Sequence, residues 1–95
     1  MSDTRERYVE KMKAKLDEWN AEIDKLEAKS RQKEADARKA YEKQIEFIKE
    51  KRRATRENLD KMRQAGENAW QDLKAGVEMA ATSLGEAIRS AQSRF

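Results

Sequence analysis

The chain has 95 residues, 43% of them charged and 6% aromatic, with a net charge of +3 and no proline, cysteine or histidine. That balance belongs to long helices and coiled coils and argues against a strand-rich globule. The missing cysteine excludes disulfides, thiolate metal sites and thiol catalysis.

Ser2 or Asp3 is placed to cap a first helix, with Glu6 three residues beyond Asp3. From there to Gln64 neither glycine nor proline occurs. Acid-before-base pairs four apart (Asp3 and Arg7, Glu27 and Arg31, Glu34 and Arg38, Glu57 and Lys61) each add about 0.2–0.5 kcal/mol. Over residues 9–26 the large apolar side chains Val9, Met12, Leu16, Trp19, Ile23 and Leu26 recur three and four apart. This is a heptad seam, which a helix buries only against another helix.

The seam lapses over a polar neck at 29–39, where its positions fall on Ser30, Lys33 and Ala37. It resumes one residue out of register at Tyr41, Ile45, Ile48, Thr55, Leu59 and Met62. Two successive steps of four, Ala37 to Tyr41 to Ile45, produce the shift and relax a supercoil locally. The neck lacks the glycine, proline or asparagine of tight helix connections, so the expectation is one continuous helix over 3–64, about 90 Å long. A hinge or hairpin tip at the neck is the alternative.

Gly66, the first glycine, sets an expected turn or kink at 64–68. Residues 67–95 then read as an amphipathic helix. Ala69, Trp70, Leu73, Val77, Ala80, Ala81, Leu84, Ala87, Ile88, Ala91 and Phe95 share an uncharged arc of about 120°. Leu73, Leu84 and Phe95 repeat every eleven residues, the period of a nearly straight helix. A reversal at Gly66 would lay Trp70 to Ala91 antiparallel on Met62 back to Tyr41 and leave residues 1–40 as an arm for another chain. Ala69, Gly76, Ser83 and Ser90, at heptad spacing, would flank a face of close helix approach. Gly76 and Gly85 each cost about 1 kcal/mol of helix propensity, which close packing would explain.

The candidate sites are all surfaces. Lys49, Lys51, Arg52, Arg53 and Arg56 could contact anions, yet Glu46, Glu50 and Glu57 interleave them and no aromatic residue sits among them. Positions 59, 66, 73 and 80 are Leu, Gly, Leu and Ala, so no leucine zipper follows and nucleic acid is not expected as a partner. Trp19 and Trp70 occupy seam positions and read as packing residues, as do Met12 and Met62, whereas Met79 faces away from the arc. The 67–95 face could lie on lipid, but its polar side mixes Glu67, Asp72, Glu78 and Glu86 with Lys74, Arg89 and Arg94, so attraction to anionic lipid would be weak. Carboxylates such as Asp17 and Glu18 stand on a hydrophilic surface with no pocket, and no phosphate loop or metal-ligand cluster is present.

Trp19 with Ala21 to Leu26, the run Ala69 to Glu78 around Trp70, and the ending Ser93-Arg94-Phe95 resemble a family of short bacterial coiled-coil proteins associated with stress response. The likeness runs over most of the chain, and the stretch Trp70 to Glu78 is its more specific part. Relatives of that kind carry a further tryptophan near position 81, where this chain has Ala81. The resemblance implies a bacterial origin and a stress link, and no catalytic residue, cofactor or defined partner.

The expected fold is therefore all-α: a long helix over 1–64 and an amphipathic helix over 67–95, as a coiled coil or helical hairpin assembling into an oligomeric bundle. The expected function is non-enzymatic self-association in a structural or scaffolding role, without cofactor. Val9, Met12, Leu16, Trp19, Ile23 and Leu26 would form the inter-chain seam, and Trp70, Leu73, Val77, Leu84 and Ile88 would close a bundle of three or more helices. Peripheral membrane binding through 67–95 is the alternative. A charged start, with no apolar run near ~18–20 residues, makes the cytoplasm the expected location.

Overall fold

The computed structural model describes the backbone of residues 2–94 and the side chains of residues 4–94. The side chains of Ser2 and Asp3, the expected caps, and Phe95 at the end of the arc lie outside the described residues. Among the described residues every regular element is an α-helix: α1 (Ser2–Arg31), α2 (Ala35–Gln64) and α3 (Trp70–Arg94). They form an up-down-up bundle measuring 51 × 18 × 17 Å. A 30-residue helix rises about 45 Å, so each of α1 and α2 spans nearly the full length.

The continuous helix expected over 3–64 is not formed. The chain reverses at Gln32–Glu34, within the polar neck, so the hairpin tip is the arrangement adopted. No residue with positive φ is needed. The last turn of α1 tightens through Gln32 N–H to Lys29 O (3.1 Å) and Lys33 N–H to Ser30 O (3.1 Å). Glu34 is then extended (φ −66°, ψ 160°) and re-enters helix without a side-chain cap. Local propensity argues against a break here. The gain lies elsewhere, in burying two apolar seams against each other.

Those seams are mirror images about the Ala35–Asp36 bond. Val9 corresponds to Met62, Met12 to Leu59, Leu16 to Thr55, Ile23 to Ile48 and Leu26 to Ile45, and all ten are buried. An antiparallel helix pair requires such a mirror, because its two helices run past each other in opposite directions. The single-residue register shift, read along one helix as a local unwinding, supplies the mirror phase.

The second reversal spans Ala65–Ala69, with Ala65 N–H bonded to Met62 O (3.3 Å) and Trp70 N–H to Gly66 O (3.2 Å). Gly66 adopts no positive φ, so the turn does not use its conformational freedom. As expected for a reversal here, α3 lies antiparallel on α2, and this is the most extensive helix contact. Residues 1–40 are not a free arm. The described part of α1 folds back and closes the core, packing more on α2 than on α3.

One continuous core runs the length of the bundle, with Ile23, Ile48, Met62, Val77 and Leu84 fully buried. Two polar residues interrupt it. Thr55 is completely buried and donates its hydroxyl to Lys51 O (2.8 Å), one turn back. Ser30, at the hairpin end, buries a hydroxyl oxygen that has no hydrogen-bond partner.

Candidate functional site

The helix seams carry most of the residues singled out in the sequence. Val9, Met12, Leu16, Ile23 and Leu26 are buried and Trp19 is partly buried, all within one chain. Within one chain α2 and α3 cover these side chains. On α3, Trp70, Val77, Leu84 and Ile88 are buried, whereas Leu73 is 39% exposed. Ala81 and Ala91, outside the expected seam, are buried with them. Their signal was the arc itself, in which alanines fill the narrow side.

The small-residue stripe does not mark a close approach. Ala69, Gly76 and Ser90 are exposed, and a Cβ at Gly76 would meet nothing within 4 Å. Gly85 is different. A Cβ there would stand 3.4 Å from Cζ2 of Trp19, so this glycine seats the indole against α3.

The groove between α1 and α3 is lined by Tyr8, Lys15, Trp19, Glu78, Gly85 and Arg89. Lys74 Nζ lies 4.9 Å from the centre of the Tyr8 ring, and Lys15 Nζ lies 6.0 Å from that of Trp19. The Tyr8 hydroxyl is buried and has no hydrogen-bond partner. Burial, and then the Glu78 carboxylate, push its pKa up to about 12. It is therefore a neutral phenol at physiological pH, unsuited to act as a base.

At one end of the bundle Arg5 ties α1 to the second turn. Its Nη1 donates to Ala65 O (2.6 Å), its Nη2 lies 3.7 Å from Glu67, and its guanidinium lies 5.9 Å from the Trp70 ring centre. At the other end the Tyr41 hydroxyl donates to Arg94 O (3.2 Å).

The basic cluster is divided between packing and solvent. Lys49 donates to Glu27 (2.8 Å) and Arg52 to Asn20 Oδ1 (2.9 Å), both across the α1–α2 interface. Arg53 pairs with Glu50 and lies 3.9 Å from Glu57, and Lys51 Nζ stands 5.0 Å from the Phe47 ring centre. Arg56 is exposed on the outer face. Two of the five expected anion contacts thus hold the hairpin together, and Arg53 is neutralised locally. A continuous phosphate-tracking stripe does not result.

Among the described residues no group of three or more His, Cys, Asp or Glu side chains could hold a metal ion, and no helix is long and apolar enough to cross a membrane. Among the described residues Phe47 (55% exposed) and Met79 (74% exposed) are the most exposed of the large apolar side chains, and Phe47 lines a shallow depression with Ala40, Tyr41 and Ala87. No protein-family model, curated protein or solved structure matches the chain.

Proposed function

We propose that this protein is a non-enzymatic helical module that acts by self-association, in a structural or scaffolding role. One observation carries the reading: the apolar side chains are concentrated in heptad-like helix seams, which identical helices of a second copy complement as well as the chain's own do. The rest of the surface is charged and solvated, and some of its acids and bases pair across or along the helices, as Lys49 does with Glu27 and Arg53 with Glu50. The resemblance to short bacterial coiled-coil proteins adds a stress-response context. Lipid binding through α3 would require that helix to leave α2, because Trp70, Val77, Leu84 and Ile88 are already covered.

Sedimentation velocity over a wide concentration range at physiological salt tests the proposal. A defined or concentration-dependent oligomer is the expected result. A monomer at every concentration would overturn it, and flotation of that monomer with vesicles would transfer the role to lipid.

A further inference from the structure

We propose that α1 is an exchangeable element, and that the chain's partner is a second copy of itself in a two-fold, domain-swapped dimer. This rests on the self-association reading above and names the joint and the surface it uses. The joint is the reversal at Gln32–Glu34. It contains no glycine or proline, no positive φ and no side-chain cap on α2, and it is flanked on both sides by helix-forming residues, Lys29, Arg31, Ala35, Ala37 and Arg38. Straightening three residues gives the first N–H groups of α2 intrahelical partners and exchanges the i to i+3 bonds on Lys29 O and Ser30 O for α-helical ones. The result is a continuous helix from Ser2 to Gln64, about 95 Å long.

The mirror of the seams makes the exchange conservative. With a two-fold axis at the Ala35–Asp36 bond, two such helices lie antiparallel and set opposite each other, between chains, the buried seam positions that mirror each other in the sequence: Val9 and Met62, Ile23 and Ile48, Leu26 and Ile45. The ties from Glu27 to Lys49 and from Asn20 to Arg52 transfer in the same way. The one-residue register shift falls in the neck, where no large apolar side chain must keep phase, so local unwinding absorbs it. The hairpin of α2 and α3, which share the most extensive contact, stays whole. Swapping therefore exchanges one short turn for helix and leaves the core unchanged.

Ala35→Pro separates the two states. Ala35 is the first residue of α2 and Glu34 before it is extended, which is the setting proline prefers, so the closed monomer tolerates the change. A continuous helix does not, because proline there removes a hydrogen bond to Arg31 and clashes with the preceding turn. The wild-type chain, folded at high concentration, is expected to give a dimer whose maximum dimension in small-angle X-ray scattering is about double the 51 Å of the monomer, and Ala35→Pro is expected to abolish it. A second measurement does not depend on that variant folding. A chain carrying Glu27→Cys is folded together with one carrying Lys49→Cys, and a short bifunctional thiol reagent is added; no other cysteine is present. Cross-linked heterodimer is expected only after exchange. A dimer that persists in Ala35→Pro and gives no cross-link would overturn the swap while leaving self-association intact, and a chain that is always monomeric would overturn both.

Discussion

The Trp19 indole lies against α3 at Gly85, so close that the first carbon of any side chain there would stand 3.4 Å from its Cζ2 atom. Glycine costs a helix about 1 kcal/mol relative to alanine, and here the missing side chain makes room for the largest residue of the α1 seam. A methyl group still fits at ordinary contact distance; a branched or longer chain does not. Gly85→Ala is therefore expected to hold or slightly raise stability. Gly85→Leu should lower it by about 1–3 kcal/mol as the indole is displaced, visible as a shift in tryptophan emission and a lower urea midpoint.

Gly76 provides the contrast. It is exposed, and nothing lies within 4 Å of where its Cβ would be. Gly76→Ala should raise stability by about 1 kcal/mol through helix propensity and a less disordered unfolded chain, with unchanged tryptophan emission. No gain in the urea midpoint would mean that this side of α3 is covered in solution.

Tyr8 buries a hydroxyl with no partner, and an unsatisfied buried hydroxyl costs about 1–3 kcal/mol. Tyr8→Phe should therefore raise stability by about 1 kcal/mol. The pH dependence has a definite sign. With a pKa of about 12 in the fold against 10.0 ordinarily, the unfolded chain loses the phenol proton first. The unfolded state thus binds fewer protons between these values, and wild-type stability falls as pH rises from 10 towards 12. The advantage of Tyr8→Phe in chemical denaturation should widen over that interval and stay constant below it.

Ile23 and Leu84 are both fully buried. An aspartate at either position places an unpaired charge in the core at a cost of several kcal/mol, comparable to the whole stability of a small domain, about 5–15 kcal/mol. Ile23→Asp and Leu84→Asp should thus abolish the cooperative thermal transition in circular dichroism, and not merely dissociate an oligomer. Leu73→Asp, on the same arc but 39% exposed, should cost far less.

Arg5 joins α1 to the second turn through Ala65, Glu67 and the Trp70 ring. Arg5→Ala leaves the Ala65 carbonyl without its charged donor and should destabilise the bundle by about 1.5 kcal/mol. Most of that loss should persist at high salt, because the hydrogen bond to the carbonyl is part-buried, while the Glu67 carboxylate is exposed and its attraction to Arg5 is screened.

Much of this was legible in the residues. The seam of Val9 to Leu26, the break near Gly66 and the arc of α3 are periodic signals, and periodicity survives without knowledge of partners. The reversal at Gln32–Glu34 was not legible from local chemistry, since no turn residue marks it and two i to i+3 bonds with one extended glutamate suffice. Its signal was non-local: the seam after Tyr41 mirrors the seam before Ser30, and a heptad read in one direction treats that mirror as a register slip. The packing role of two residues of the basic cluster was not legible for a related reason. Lys49 and Arg52 face Glu27 and Asn20 only once the hairpin closes.

What the amino-acid order determined by itself was helix, the faces each helix must bury, and the absence of thiol and imidazole chemistry, because these follow from spacing and residue type. Only the tertiary structure decided which helix covers which face. A seam specifies complementary helices and not the chain they belong to. Closing three helices within one molecule brings the partners together without the entropy loss of association.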